Sequence, residues 1–145
     1  MESTDRRILG LLARDGRMSY TDIGRETGLS TSAAQQRVRR LEQRGVITGY
    51  RALVDPAALD KMLTAFVELR PLAPAEDDNI AEKVSSLTDV VSCYSVAGQA
   101  SHILMVQVGS PQELETLLSR IRQLARVSTE TTLVLSVAFE DRPLV

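Results

Sequence analysis

The chain has little of what disulfide, metal and membrane chemistry require. A single cysteine, Cys93, excludes an internal disulfide, and a single histidine, His102, leaves no cluster of soft ligands for a zinc site. No apolar run reaches ten residues, well short of the roughly 20 that a spanning helix needs. The opening Met-Glu-Ser-Thr-Asp lacks the basic-then-apolar order of a secretory signal, so a cytoplasmic protein is expected, with no membrane partner. Aromatic residues make up 3% of the 145 positions against 43% hydrophobic, which describes a folded protein with an aliphatic core. Paired carboxylates and a glycine-rich phosphate loop are also missing, and this argues against catalysis.

Charge is unevenly placed. Residues 1–50 carry nine arginines against six carboxylates, a net of +3, whereas residues 51–145 carry −5, giving −2 for the whole chain at pH 7. A basic first part on an acidic remainder suggests two modules, the first facing a polyanion. The stretch "LSTSAAQQRVRRLEQRG" alone holds four arginines against one glutamate.

Three capped helices are predicted in that first module. "TDRRILGLLAR" places Ile8, Leu9, Leu11 and Leu12 on one side behind a Thr4 or Ser3 cap and stops at Asp15-Gly16. "SYTDIGRETG" has Ser19 as its cap, Asp22 as a capping-box partner and Gly28 as its exit. The third helix restarts at once behind Ser30 or Ser32, with Gln35 three residues beyond Ser32, and ends at Gly45. Two short helices joined by a tight glycine-containing turn form a helix-turn-helix unit. At about 100° per residue, Ala34, Val38 and Leu41 of the third helix face the core, while Ser32, Gln36, Arg39 and Gln43 face outward, flanked by Gln35 and Arg40. Guanidinium, amide and hydroxyl groups are what guanine, adenine and phosphate accept, so double-stranded DNA is the expected partner. Ser30, Thr31, Ser32, Gln35, Gln36, Arg37, Arg39, Arg40 and Arg44 are the candidate DNA contacts. Of these, Arg37 and Arg44 lie nearer the packed side, placed to hold phosphates or internal carboxylates. "VITGYRALVD" then alternates as a strand or small wing, broken by Asp55-Pro56, and Arg51 within it is either a further phosphate contact or an exposed linker residue.

From residue 61 the order becomes strand, helix, strand, strand, helix, strand. "MLTAFVELR" alternates, "DDNIAEKVSSL" repeats Ile80, Val84 and Leu87 at helical spacing, and "VVSCYSVA" and "HILMVQV" flank the turn Gly98-Gln99-Ala100-Ser101. "SPQELETLLSRIRQLA" has Ser110 as cap, Pro111 at its first position and Glu113 as box partner, with Leu114, Leu117, Leu118, Ile121 and Leu124 on one face; "VSTETTLVLSVAF" closes the sheet. This is a ferredoxin-like βαββαβ order, so the expected fold is α+β: a three-helix, winged helix-turn-helix domain over residues 1–50, a linker strand or hinge over 51–60, and a ferredoxin-like domain over 61–145. The first and fourth strands are substantially apolar on both sides: Leu63, Ala65, Val67 and Leu69 against Met62 and Phe66, and Leu133, Leu135, Val137 and Phe139 against Val134 and Ala138. A sheet with helices on one side and apolar residues on the other implies at least a homodimer.

With these features in place, "DRRILGLLARDGRMSYTDIGRETGLSTSAAQQRVRRLEQRGVITGYRALVDPAAL", "YSVAGQASHILMVQV" and "VSTETTLVLSV" resemble the Lrp/AsnC, or feast/famine, transcriptional regulators along essentially the whole chain. The most specific part is "GLS…RVRRLEQRGVITGY". The resemblance implies a nucleoid-associated DNA-binding regulator without a cofactor, forming dimers and often octamers, and responding to an amino acid bound between subunits. It also implies an effector loop at Gly98, Gln99, Ala100, Ser101 and His102, with Thr131 and Thr132 as candidates from the final strand. Members of the family commonly have an aspartate and then an aromatic residue where this chain has Ser101 and His102. That removes the carboxylate best suited to an effector's ammonium group.

Two other readings compete. An enzyme would have to use Cys93, His102 and Tyr94, and a hairpin turning near Gln99 would pair Cys93 far down the strands from His102. A helix-turn-helix turned to protein contact, or an effector-independent dimeric hub, is the second alternative, and the salt dependence of DNA binding discriminates it.

Overall fold

A computed structural model describes residues 1–145. The chain forms two units, one made of residues 1–53 together with 138–145 and the other of residues 54–137. The first unit therefore takes in the C-terminal octapeptide, which the sequence places with the ferredoxin-like half. Val145 lies against Gly10 of the first helix, and Asp141 approaches Arg51 at 3.9 Å.

Three helices build the first unit: α1 (Ser3–Arg14), α2 (Tyr20–Thr27) and α3 (Thr31–Gln43). Ile8, Ile23, Ala34, Val38 and Leu41 form its buried centre, with Leu9, Leu12, Met18, Leu29 and Ile47 packed around them. The α1 start differs from expectation: Glu2 is the cap residue, no side chain caps the helix, and Ser3 and Thr4 lie within its first turn. Ser19 and Ser30 cap α2 and α3 by accepting the N–H of Asp22 and Ala33, each at 3.1 Å. Neither expected capping box closes around these serines: Asp22 pairs instead with Arg25 at 3.1 Å, and Ser30 rather than Ser32 caps α3. The α2–α3 turn depends on two glycines. Gly28 is left-handed (φ 74°), and a Cβ on Gly24 would meet the Leu29 carbonyl oxygen at 2.5 Å.

The expected wing is absent as a strand. The N–H groups of Val46 and Ile47 turn back to the Leu41 carbonyl at 3.0 and 3.2 Å, closing the end of α3, and residues 48–55 pair with no strand of the chain. Tyr50 instead donates its hydroxyl to Glu42 at 3.0 Å.

In the second unit, β1 (Leu63–Pro71), α4 (Ile80–Val84), β2 (Val90–Ser95), β3 (His102–Val108), α5 (Pro111–Ala125) and β4 (Val127–Leu133) follow in the predicted order. The sheet order is β2-β3-β1-β4 with every pair antiparallel, the ferredoxin-like topology. Ala65, Val67, Leu69, Leu104, Val106, Val108 and Val127 pack from the sheet against Ile80, Val84, Leu114, Leu117, Ile121 and Ala125 from the helices. Ser110 caps α5 as expected, accepting from Glu113 N–H, while the Glu113 carboxylate accepts from Gly109 N–H rather than from the cap residue. Leu124, expected on the packed face, is 44% exposed, because Ile121 and Ala125 occupy the stripe beside it.

Strand β4 is shorter than its apolar pattern. The N–H of Val134 donates to Thr64 at 2.9 Å, but β1 begins at Leu63, so no partner remains beyond that bond. Leu135, Val137 and Phe139 consequently leave the sheet and are exposed. The face away from the helices is apolar only at its middle, where Phe66 pairs with Met105 and Tyr94 with Ile103. Polar Glu68, Arg70, Glu130 and Thr132 border this patch, since partners across a ladder share a face.

Candidate nucleic-acid interface and effector cleft

The first unit presents two kinds of arginine on one helix. Arg37 points inward, and its Nη1 donates to Asp5 and Glu2 at 2.8 Å each, with the Asp5 side chain 4% exposed. These bonds, to Asp5 first and then Glu2, hold the guanidinium pKa above its usual value. Of the two roles open to Arg37, the structure thus contains the internal carboxylate. Its charge is paired with two carboxylates, which leaves it less available to DNA than the unpaired arginines of the same helix.

Ser32, Gln36, Arg39, Arg40, Gln43 and Arg44 are exposed. Apart from a 3.3 Å contact between the Ser30 and Ser32 hydroxyls, none of these side chains is engaged within the chain. Gln35 is half-buried, Ser30 is spent on the cap, and Thr31 lies 3.3 Å from Thr21 across the turn. The first turn of α3 contains no acidic residue, so its N–H groups and positive dipole end add to the same surface. An exposed row of this composition can fork onto guanine, pair with adenine and neutralise phosphate.

The second unit has an open cleft of about 510 Å³ beside the β2–β3 hairpin. Val96 N–H bonds to Ser101 O at 2.9 Å, and Ser101 N–H bonds to Leu69 O at the same distance, fixing the hairpin on β1. Gly98, Gln99, Ala100 and Ser101 line the cleft, together with Leu72, Pro74 and Val96. His102 does not, and its Nδ1 sits 2.8 Å from the Ser101 hydroxyl, which also reaches Leu69 O at 3.4 Å.

Thr131 and Thr132 are not brought to the cleft of their own chain. They pair with Val67 and Phe66, whereas the hairpin meets β1 at Leu69, so Ser128 to Glu130 are the β4 residues at that end. The sequence reading missed Arg70, whose Nη2 reaches Gln99 at 3.4 Å and Glu130 at 3.2 Å, and Asp77, which lines the cleft. Arg70 could have been found by counting β1 residues to the hairpin. Asp77 lies on a 3-10 turn, Pro74–Asp77, that no periodicity announces.

The enzyme alternative finds no support here. Cys93 opposes Leu104 in the ladder, packs against the core, and its thiol pKa is pushed up by burial, which disfavours the thiolate.

A capped helix-turn-helix with a free basic face, followed by a ferredoxin-like unit with a cleft at its hairpin, defines a DNA-binding regulator with a ligand-binding domain. The comparisons agree. Residues 1–42 match the AsnC-type helix-turn-helix domain, and residues 64–144 match the Lrp/AsnC ligand-binding domain. The chain is 44% identical over 142 residues to the HTH-type transcriptional regulator LrpA of Mycobacterium tuberculosis, covering 98% of this chain and 95% of that protein. Among solved structures, the M. tuberculosis feast or famine regulatory protein complexed with L-methionine matches with TM-score 0.94 and 44% identity, covering 97% of this chain and 96% of the other. Escherichia coli AsnC matches with TM-score 0.89 and 27% identity, covering 97% and 95%. The chain belongs to the Lrp/AsnC family of transcriptional regulators, whose members are not enzymes. No helix of the structure is long and apolar enough to cross a membrane.

Proposed function

We propose that the chain is a sequence-specific regulator that reads DNA as a homo-oligomer and whose DNA affinity is set by an amino acid of the methionine class bound in the hairpin cleft at a subunit boundary. The observation that carries the DNA half is the unengaged outward row of α3. Ser32, Gln36 and Arg39 read bases, and Gln35, Arg40 and Arg44 support them or hold phosphates. The effector half is supported by the cleft and by a relative, 44% identical, solved with L-methionine. The open cleft, bounded by one chain alone, fits a ligand closed over by a second subunit. Oligomerisation is supported by the patch formed by exposed Phe66 and Tyr94 with half-buried Ile103 and Met105, and dimers that stack further, up to an octamer, are compatible with it. A cytoplasmic, nucleoid-bound protein follows from this reading.

Fluorescence anisotropy on the DNA upstream of the protein's own gene, at two salt concentrations and with each common amino acid added in turn, tests it. Binding that falls steeply with salt and is shifted by L-methionine or another amino acid is the expected result, with a coupling of about 1–3 kcal/mol. Absence of salt-sensitive binding refutes the DNA half. Binding that no amino acid shifts refutes the effector half.

A further inference from the structure

Resting on the effector reading above, we infer that Asp77 receives the ammonium group of the bound α-amino acid, taking the place of a loop carboxylate that Ser101 does not supply. Asp77 is the one ionisable side chain among those lining the cleft. Its carboxylate is free, whereas the neighbouring Glu76 is held by Lys83 at 3.6 Å and by Arg126 at 3.2 Å. The Ser101 hydroxyl donates to the Leu69 carbonyl and lies beside His102 Nδ1, and being uncharged it is a weaker acceptor for a cation than a carboxylate.

The rest of the cleft complements the other parts of the same molecule. Val96 and Ser101 spend their N–H groups within the hairpin, but those of Ala97, Gly98, Gln99 and Ala100 donate to no backbone acceptor. N–H groups without a partner on cleft-lining residues are available to a carboxylate. Leu72, Pro74 and Val96 add apolar surface for an aliphatic or thioether side chain. A negative group on the 74–77 turn and N–H donors on the hairpin thus provide opposite poles for a zwitterion. An α-keto acid with the same side chain keeps the carboxylate contacts and loses the ionic one.

Isothermal titration of the full-length protein with L-methionine and with its deaminated analogue, 4-methylthio-2-oxobutanoate, tests this assignment. The wild-type chain is expected to prefer methionine by at least about tenfold, the worth of one charge-assisted hydrogen bond. Asp77→Asn should bring that preference close to unity while leaving keto-acid binding unchanged, and Asp77→Glu should keep most of it. The Asp77 side chain is exposed and forms no ion pair, so Asp77→Asn should melt as the wild type does. If Asp77→Asn retains the full preference for methionine, this inference is overturned and the effector reading stands. A wild-type chain that binds neither compound overturns this inference, and the effector reading then stands or falls with the anisotropy screen of the other amino acids.

Discussion

At the scale of single residues, Arg37 and Arg39 are two positions apart on α3 and have different tasks. Arg39 has no partner in the chain, so Arg39→Ala should weaken specific operator binding by about 1–3 kcal/mol if it forks onto a guanine, and leave the melting temperature unchanged. An equal loss on all DNA sequences would make it a phosphate contact, and no loss would remove it from the interface. Arg37→Ala should do the reverse, lowering the melting temperature, because it strands the nearly buried Asp5 carboxylate without its counter-charge. Helical projection set Arg37 nearer the packed side than Arg39 but left phosphates and internal carboxylates both open to it. What decides between them is that Glu2 and Asp5, some thirty positions earlier, lie where α1 crosses α3, a tertiary fact that helix periodicity does not contain. Tyr50 gives a pH signature for the same unit. Burial, and then the hydrogen bond to Glu42, push its phenol up to about 12. Because the folded value lies above the unfolded one of about 10, the contribution of the neutral phenol is complete below pH ~10 and lost as pH rises through about 12. A near-ultraviolet titration should show a late tyrosinate phase that Tyr50→Phe abolishes.

At the scale of elements, stability rests on local devices that can be changed one at a time. The Ser30 hydroxyl satisfies the Ala33 N–H at the start of α3, so Ser30→Ala should destabilise the first unit by about 1 kcal/mol in urea unfolding, with little change in slope. Gly24→Ala should cost more, roughly 1–3 kcal/mol, because its Cβ meets the Leu29 carbonyl at 2.5 Å and the backbone of the α2–α3 turn must move to admit it. These helices were legible in the sequence because capping serines and exit glycines act over three or four residues. The sheet order was legible as well, since alternation marks each strand and short connections leave few topologies. The wing and the far half of β4 were not. "VITGYRALVD" and "LVLSVAF" have the side chains of strands, but a strand also needs a neighbour, and residues 48–55 have none, while β1 starts too late to serve residues beyond Val134. Thr131 and Thr132 lie away from the cleft of their own chain for a related reason: register along β1, invisible without the pairing, puts them opposite Val67 and Phe66.

At the scale of the whole molecule, the proposed DNA reading turns on the apolar surface that a single chain leaves in water. Phe66 is 40% and Tyr94 55% exposed at the centre of a sheet face that no helix covers, and Met105 and Ile103 continue the patch. The sequence pattern predicted substantially apolar sides on the first and fourth strands, whereas the structure gives an apolar middle edged by Glu68, Arg70, Glu130 and Thr132. That arrangement resembles an interface core with a polar rim. One helix-turn-helix unit carrying a net charge near +3 holds DNA weakly, but two units joined through this face address half-sites about 34 Å apart and gain from the high local concentration of the second. Phe66→Glu places a carboxylate in the middle of the patch, on a side chain that contributes nothing to the buried core of its own chain. It should therefore leave each chain folded, shift sedimentation toward the monomer, and lower operator affinity by about a hundredfold or more through lost bivalency. The same variant should roughly halve the slope of log affinity against log salt, because each binding event then releases the counterions of one unit rather than two. A Phe66→Glu protein that still sediments as the wild-type assembly would show that this face is not where the subunits meet. One that becomes monomeric yet keeps full operator affinity would show that a single α3 is sufficient for recognition.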